Sequence, residues 1–337
     1  MPFEPTDRRS IGRTDLSVTV LGFGTAPLGG LYTPVAEDDA VAVVERAWDL
    51  GIRYFDTAPL YGYGLSERAL GRVLRSQRRD EFVLSTKVGR LVRRRDDVAP
   101  DADVDRGQGT NWPAARDACA VFDFSRDGVR RSIDESLARL GLDRIDVAYI
   151  HDPDDHWKAA IGEAYLELHR LRDEGVLGAI GAGMNQSAML ARFAREGEFN
   201  QFMLAGRYTL LDHDALGELL PLCVEKGISI AIGGAMNSGV LADPRPGSRF
   251  NYAPAPPAIL DRARRLREVC ERHGVSVKAA AAQFPLAHPA VASLVAGVKS
   301  VDHLDEYPSL LRTPIPVELW QELRTLDLLP AGAPTPA

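Results

Sequence analysis

The 337-residue chain has little of what several protein classes require. It contains three cysteines, Cys119, Cys223 and Cys270, and none shows the close spacing of metal-binding or redox motifs. No run of about 18 apolar residues occurs, and the first twenty residues do not resemble a signal peptide. The formal net charge is −7, without a basic cluster for nucleic acid or anionic lipid. These absences predict a cytoplasmic protein without a disulfide framework, a metal site, a membrane contact or a nucleic-acid partner.

Apolar residues make up 45% and charged residues 26% of the chain, which is ordinary for a folded globular protein. From Val18 onward, short apolar runs alternate with longer segments of helical periodicity, the pattern of repeated βα units. The runs predict eight strands, at residues 18–23, 53–55, 82–86, 145–150, 177–181, 201–205, 228–232 and 292–296. Eight such units favour a (β/α)8 TIM barrel, because a doubly wound sheet usually has fewer strands.

The intervening segments carry helix signals. Residues 37–50 have an apolar face and end at Gly51, and Ser125 is a candidate N-cap for the helix that ends before Gly141. Further amphipathic helices are predicted at 158–174, 186–196, 213–226, 258–273 and 301–311. The whole chain, 1–337, is predicted to form one barrel domain, with long βα loops at 89–124 and 233–257 and a tail from about 314 that includes a short helix near 316–327. These two loops are candidate walls of a binding site, unless they are disordered insertions.

Polar residues stand where predicted strands end. Asp56 ends the second strand, Lys87 follows the third and His151 follows the fourth, while Tyr61 lies on the loop after Asp56. Each has an ordinary alternative: an Asx turn, a solvated lysine or a structural histidine. In a barrel, however, the carboxyl ends of adjacent strands meet at one mouth, so the four side chains are predicted to converge there.

The four side chains suit proton transfer at a hydroxyl or carbonyl oxygen. An adjacent ammonium group favours a phenolate, so Lys87 is predicted to lower the pKa of Tyr61, with Asp56 holding Lys87 charged. His151 can orient the reacting oxygen. The set contains no nucleophile paired with a base and no metal-ligand spacing, and a hydride would have to leave to a separate carrier.

Four motifs make the resemblance specific. Phe55-Asp56-Thr57-Ala58-x-x-Tyr61-Gly62, Ser85-Thr86-Lys87, Ile150-His151 and Gly183-Met184-Asn185 resemble, in this order, the aldo-keto reductase superfamily from about Leu21 to about Tyr307. The resemblance implies a (β/α)8 barrel with a catalytic tetrad of Asp56, Tyr61, Lys87 and His151. It also implies a nicotinamide dinucleotide extended across the barrel mouth.

The resemblance further implies a set of cofactor-binding residues. Asn185 is expected to hold the nicotinamide carboxamide and Tyr208 to stack on the ring, although the usual glutamine three residues earlier is Ala205. The full expected set is Gly24, Thr25, Asp56, Asn185, Tyr208, Gly234, Met236, Asn237, Gly239, Gly297, Lys299, Ser300 and His303. His303 stands where an arginine commonly grips the 2′-phosphate, which favours NAD over NADP.

Within the superfamily, the His151-Asp152-Pro153-Asp154-Asp155-His156 run resembles the group of D-threo-aldose 1-dehydrogenases, L-fucose dehydrogenases and pyridoxal 4-dehydrogenases. That group implies oxidation of a cyclic hemiacetal at C1 to a lactone, with Tyr61 as general base. The substrate is then expected to contact Pro27, Leu60, Tyr61, Trp112 and His151. The alternatives are formation of 4-pyridoxolactone, carbonyl reduction by NADPH, or a non-catalytic nucleotide-sensing subunit.

Overall fold

The structure is a computed structural model that describes residues 2–106, 112–113 and 115–336, and a closed barrel of eight parallel strands lies at its centre. The strands are β1 (Leu21–Gly24), β2 (Tyr54–Asp56), β3 (Val83–Val88), β4 (Val147–His151), β5 (Ala179–Met184), β6 (Gln201–Ala205), β7 (Ser229–Gly233) and β8 (Val291–Gly297). Each strand pairs with its neighbours in chain order, and β8 closes on β1. The predicted (β/α)8 fold is confirmed.

The first predicted strand, 18–23, is split between two elements. Ser17–Thr19 pairs antiparallel with Arg8–Ser10, and only Leu21–Gly24 enters the barrel. Ile11 and Val18 of this N-terminal hairpin are fully buried and pack against the residues that begin the barrel strands. The hairpin therefore closes the end of the barrel opposite the carboxyl ends of its strands.

The helices cover the outside of the barrel. They are α1 (Glu37–Asp49), α2 (Leu65–Leu74), α3 (Arg126–Leu140), α4 (Trp157–Ala159, a π turn at Ala160–Ala164, and Tyr165–Asp173), α5 (Ser187–Glu196), α6 (Leu219–Lys226), α7 (Pro257–Arg272), α8 (Val277–Gln283), α9 (Val301–Arg312) and α10 (Val317–Thr325). Ser125 caps α3 as predicted, because its side chain accepts the N–H of Gly128. The sequence did not predict α2, which begins after a left-handed glycine without a side-chain cap, or α8, which has no polar face.

Both long connections contain strand pairing. In the first, Arg90–Arg94 pairs antiparallel with Ala118–Phe122 to form a two-stranded ribbon, which replaces much of the loop predicted at 89–124. In the second, Arg249–Phe250 pairs with Ala253–Pro254. Both connections leave the carboxyl ends of barrel strands, so the ribbon and the hairpin stand beside the barrel mouth.

The barrel interior is layered because alternate residues of each strand point inward. Tyr54 and Tyr149 form a buried layer, in which the two hydroxyls lie 2.9 Å apart and Tyr149 donates to Gln201 Oε1 at 2.6 Å. Two residues further along their strands come Asp56 and His151. The period of two thus places ionisable groups directly above an aromatic floor.

The tail from 314 packs on the barrel. Leu319, Trp320 and Leu323 of α10 are fully buried, and α10 packs against α7. Among the described residues, none forms a helix with the length and apolar character needed to cross a membrane.

Candidate active site

A buried ion pair lies at the centre of the barrel mouth. Lys87 Nζ donates to Asp56 Oδ2 at 2.7 Å and to the carbonyl oxygen of Thr57 at 2.9 Å, and Ser85 Oγ donates to Asp56 Oδ1 at 2.7 Å. Asp56 and Lys87 are each 2% exposed. A buried pair is tolerated when hydrogen bonds satisfy the remaining polar atoms, as they do here. The pair fixes Lys87 beside the turn that carries Tyr61.

Tyr61 is positioned by a close approach of two backbones. A Cβ on Gly29 would lie 2.6 Å from both the nitrogen of Gly62 and the carbonyl carbon of Tyr61, and Gly62 has a left-handed φ of 61°. Only glycine fits such a contact without a shift. The turn therefore holds the Tyr61 backbone against the 3₁₀ turn Ala26–Gly29 that follows β1.

The pKa of Tyr61 shifts in the direction opposite to the predicted one. Burial raises it well above its usual value, and the carboxylates of Asp56 and Asp152 raise it further, while Arg90 lowers it. Lys87 Nζ lies over the face of the Tyr61 ring, 4.7 Å from its centroid, and its charge is paired with Asp56. The carboxylate of Asp56, which is paired with this ammonium group, acts on the phenol in the opposite direction and raises its pKa.

His151, at the end of β4, faces Tyr61 across the pocket. The two rings are perpendicular, at 88°, with centroids 5.8 Å apart. Burial lowers the pKa of His151 well below its usual value, and the charges of Arg90 and Lys87 act in the same direction. The imidazole is therefore neutral at physiological pH and can share a hydrogen bond with a reacting oxygen.

These groups line a small pocket of about 90 Å³. Its lining is Ala26, Leu31, Leu60, Tyr61, Lys87, Trp112, His151, Asp152, Gly183, Met184, Asn185, Met203, Ala205 and Tyr252. Trp112 is 3% exposed, and its ring lies 6.0 Å from that of Tyr61. Four of the five residues expected to contact substrate thus meet in one place.

Beside this pocket lies a groove of about 500 Å³ that shares Ala26, Leu31 and Tyr252 with it. Six of the expected cofactor residues line the groove: Gly234, Met236, Gly239, Gly297, Lys299 and His303. Pro27, expected to contact substrate, lines the groove instead, because it packs against Gly297, whose Cβ would lie 3.4 Å from Pro27 Cγ. Asn185 lines the pocket, where its side-chain nitrogen donates to Ala205 O at 2.9 Å.

Six other expected cofactor residues, among them Asp56 of the ion pair, do not line the groove. Gly24 pairs with Asp56 inside the barrel wall, and Thr25 is fully buried with its hydroxyl donating to Asp56 O at 3.1 Å. Ser300 accepts the backbone N–H of His303 and so caps α9. These side chains build the walls of the site and do not line the groove.

Tyr208 and Asn237 also differ from expectation. Tyr208 is fully buried, with its ring 5.1 Å from that of Phe284, and is not part of the groove lining. A tight turn follows it, in which Thr209 N–H donates to Asp212 O, and this turn directs the ring toward the core. Asn237 is 2% exposed and donates to Gly206 O at 3.2 Å, so it shapes the turn beneath the groove.

The groove fits an elongated anionic ligand. Gly234 and Gly239 have left-handed φ values of 65° and 93°, and neither places a side chain between the turn and the groove. Lys299, near one end, is held by a 2.7 Å hydrogen bond from its Nζ to Thr33 Oγ1. The groove also opens into the pocket beside Tyr61. A dinucleotide laid along it would reach the reacting residues.

Two pocket residues, Asp152 and Tyr252, and one residue behind the pocket, Arg90, were not predicted from the sequence. Arg90 is 4% exposed and donates to His151 O at 2.6 Å, and Asp152 follows the histidine directly. Tyr252, at the tip of the hairpin after β7, has a left-handed φ of 66°. Adjacency to His151 was the available signal for Asp152, whereas only tertiary structure brings Tyr252 to the pocket. No group of three or more metal-ligand side chains occurs among the described residues.

Comparison with known proteins agrees with this geometry. The aldo/keto reductase family model matches residues 20–327. The chain is 42% identical to a pyridoxal 4-dehydrogenase from Microbacterium luteolum, covering 98% of this chain and 100% of that protein. It is also 42% identical to a D-threo-aldose 1-dehydrogenase from a Pseudomonas species, covering 94% and 96%. The holo structure of an aldo-keto reductase from Bacillus halodurans superposes with a TM-score of 0.74 at 27% identity, covering 95% and 96%. The chain is an oxidoreductase that belongs to the aldo/keto reductase family.

Proposed function

We propose that this protein oxidises a cyclic hemiacetal at C1 to the lactone, with an aldose such as L-fucose or D-arabinose as substrate. The observation that carries the proposal is the convergence of Tyr61, Lys87 and His151 on one small pocket beside a long groove, with Asp56 paired to Lys87. Both relatives at 42% identity are named for substrates that close to cyclic hemiacetals. A pocket of about 90 Å³ suits a small ring.

The oxidation removes one hydride and one proton from the substrate, and each of the four residues has a role in it. The hemiacetal carbon carries both a hydrogen and a hydroxyl, so loss of one hydride and one proton gives a lactone. Tyr61 takes the hydroxyl proton as general base, and neutral His151 orients the same oxygen. The ion pair of Lys87 with Asp56 fixes two opposite charges beside Tyr61 at the barrel mouth. When bound, an oxidised nicotinamide accepts the hydride and adds a positive charge that favours the Tyr61 phenolate.

We propose NAD as the preferred cofactor. His303 lines the groove where a guanidinium would bind a 2′-phosphate more strongly. Glu306 lines the same end and is paired with Lys278 at 2.7 Å, so the ammonium there is already neutralised. A further phosphate dianion would meet the carboxylate of Glu306.

Pyridoxal is the second candidate substrate, because the pyridoxal 4-dehydrogenase relative is aligned along the whole chain. Pyridoxal closes to a five-membered hemiacetal, and the same residues would oxidise it to 4-pyridoxolactone. Carbonyl reduction with NADPH is the reverse chemistry on the same residues.

The test is oxidation of a substrate panel by the purified protein. L-fucose, D-arabinose, L-galactose, pyridoxal and simple aldehydes are supplied with NAD or NADP, and formation of the reduced nicotinamide is followed by absorbance. We expect turnover of at least one aldose, faster with NAD than with NADP. Absence of oxidation with every hemiacetal refutes the proposal, and oxidation of pyridoxal alone assigns the second candidate.

A further inference from the structure

Asp152 is rigidly held at the edge of the pocket. It follows the last residue of β4, its backbone N–H donates to Gly183 O at 3.1 Å, and its φ of 38° is left-handed. Its side chain is 22% exposed, and this residue lines the pocket together with Tyr61 and His151. The carboxylate therefore stands next to the place where the reacting oxygen is held.

This carboxylate has ionic neighbours at distances longer than hydrogen bonds. Its Oδ2 lies 3.5 Å from His151 Nε2 and 3.6 Å from Arg90 Nη1. Arg90 directs its shorter bonds elsewhere, from Nη1 to His151 O at 2.6 Å and from Nε to Asp105 Oδ2 at 2.8 Å. Within the described residues, the Asp152 carboxylate has no hydrogen bond of its own, so its oxygens can accept hydrogen bonds from a ligand.

The Asp152 carboxyl group is mostly ionised at neutral pH, although its surroundings disfavour the charge. Burial raises the pKa of Asp152 to about 6, although the charge of Arg90 lowers it. The other ionisable groups that act on it are Asp154, Lys87 and Asp105. A partly buried carboxylate is stabilised when donors replace the water that it has lost, and the hydroxyls of a polyol are such donors.

We propose that the Asp152 carboxylate accepts a hydrogen bond from the hydroxyl on the ring carbon next to the reacting carbon, and so selects polyhydroxylated hemiacetals; this rests on the proposed function. His151 holds the oxygen on C1, and Asp152 is the adjoining residue on the same side of the pocket. The C2 hydroxyl is the group nearest to C1 that can reach the carboxylate. Asp152 is thus a specificity-determining residue.

Part of the pocket lining offers no partner to a hydroxyl group. Leu31, Leu60, Met184 and Met203 are apolar, and the side-chain nitrogen of Asn185 already donates to Ala205 O. An apolar surface distinguishes weakly between a sugar and its deoxy analogue, whereas a site built to bind a hydroxyl strongly rejects the analogue that lacks it.

The experiment compares two pentoses that differ by one hydroxyl. D-arabinose carries the C2 hydroxyl and 2-deoxy-D-ribose is the same sugar without it. For the wild-type protein we expect kcat/KM to be about 10- to 100-fold higher with D-arabinose, the range of a hydrogen bond to a charged group. In Asp152→Gly the ratio should fall to near one, and in Asp152→Asn it should be intermediate. Glycine and asparagine both tolerate the left-handed φ of this position.

Controls separate the possible causes of failure. Asp155→Asn alters an exposed acid three residues away and should keep the wild-type ratio. Fluorescence titration with NADH and thermal unfolding should show unchanged cofactor binding and folding in both Asp152 variants. If Asp152→Gly keeps the wild-type preference for D-arabinose, the role of Asp152 is refuted. Equal use of both pentoses by the wild type refutes it as well. Neither result affects the proposed function. Absence of turnover of every hemiacetal by the wild type overturns the proposed function itself.

Discussion

Charges around the Tyr61 hydroxyl act in opposite directions. Burial and the carboxylates of Asp56 and Asp152 raise its pKa, and Arg90 lowers it. The buried ion pair of Lys87 with Asp56 leaves little net positive charge beside the phenol. Without a further cation in the groove, Tyr61 is therefore a neutral phenol over the whole physiological pH range. Under the proposed function, the oxidised nicotinamide would supply that cation and so favour the phenolate.

Replacement of Tyr61 by phenylalanine tests this role. We expect Tyr61→Phe to lower kcat by about 100- to 10,000-fold, because the proposed general base is removed while the ring remains. Cofactor binding, followed by fluorescence quenching, should be retained. Tyr63→Phe is the matched control, since Tyr63 is a nearby buried tyrosine whose hydroxyl has no partner among the described residues. Loss of cofactor binding in Tyr61→Phe would indicate a structural role instead.

At the scale of the elements, the turn after β2 and the turn after β1 depend on each other. Gly29 and Gly62 meet through their backbones, and the second of them directly follows Tyr61. The position of Tyr61, on the turn after β2, is thus set by the turn after β1. No hydrogen bond of the Tyr61 side chain is needed for this placement.

A methyl group at this contact should displace the turn. We expect Gly29→Ala to cost about 1–3 kcal/mol of stability, the usual range for overpacking, and to reduce kcat because Tyr61 moves. Gly162→Ala is the control, because nothing lies within 4 Å of the Cβ that it would add. Urea unfolding and steady-state kinetics measure the two effects. Unchanged kcat in Gly29→Ala would show that the contact does not position the tyrosine.

The sequence predicted the elements whose signals are local. Each barrel strand is an apolar run with β-formers, so all eight strands could be located from the sequence, apart from the division of the first at Val20. The side chains of Asp56, Lys87 and His151 could be grouped because parallel strands bring their carboxyl ends together. The helix α8 could not be recognised, since its alanines are buried on every side.

The orientation of a side chain that depends on turns and tertiary contacts could not be predicted from the sequence. The motif order locates Tyr208 in the chain, but the direction of its ring depends on the Thr209 turn and on packing against Phe284. Tyr252 reaches the pocket because its hairpin has a particular length and two left-handed residues at its tip. The pKa of Tyr61 depends on the ion pair between Lys87 and Asp56, and the distance between these two groups cannot be read from a sequence.

For the molecule as a whole, segments near both ends of the chain pack onto the barrel. The N-terminal hairpin closes the end of the barrel opposite the mouth, and Phe3 N–H donates to Leu311 O at 3.0 Å. The tail contributes Trp320, fully buried, with its ring 6.3 Å from that of Phe284. These contacts stabilise the end of the barrel opposite the mouth and the side that packs against the tail. Neither region carries the residues of the pocket.

Loss of this tail anchor should affect stability without affecting chemistry. We expect Trp320→Ala to lower the free energy of unfolding by about 3–5 kcal/mol, as for other buried tryptophans. The kcat of the folded protein should be preserved, because α10 supplies no residue to the pocket or the groove. Val317→Ala, at a 52% exposed position of the same helix, is the control. A large fall in kcat of folded Trp320→Ala would connect the tail to the site.

The antiparallel ribbon of Arg90–Arg94 and Ala118–Phe122 has a consequence for how the protein can change. Its ladder joins the two ends of the segment between its strands, and Asp103 and Asp105 of that segment are hydrogen-bonded to Phe122 and Ala120. The ribbon can therefore stay paired when the rest of the segment changes in length or sequence. Trp112 lies in the part that can change, with its ring 6.0 Å from that of Tyr61. We expect such exchanges to reshape the pocket while Tyr61, Lys87 and His151 stay in place.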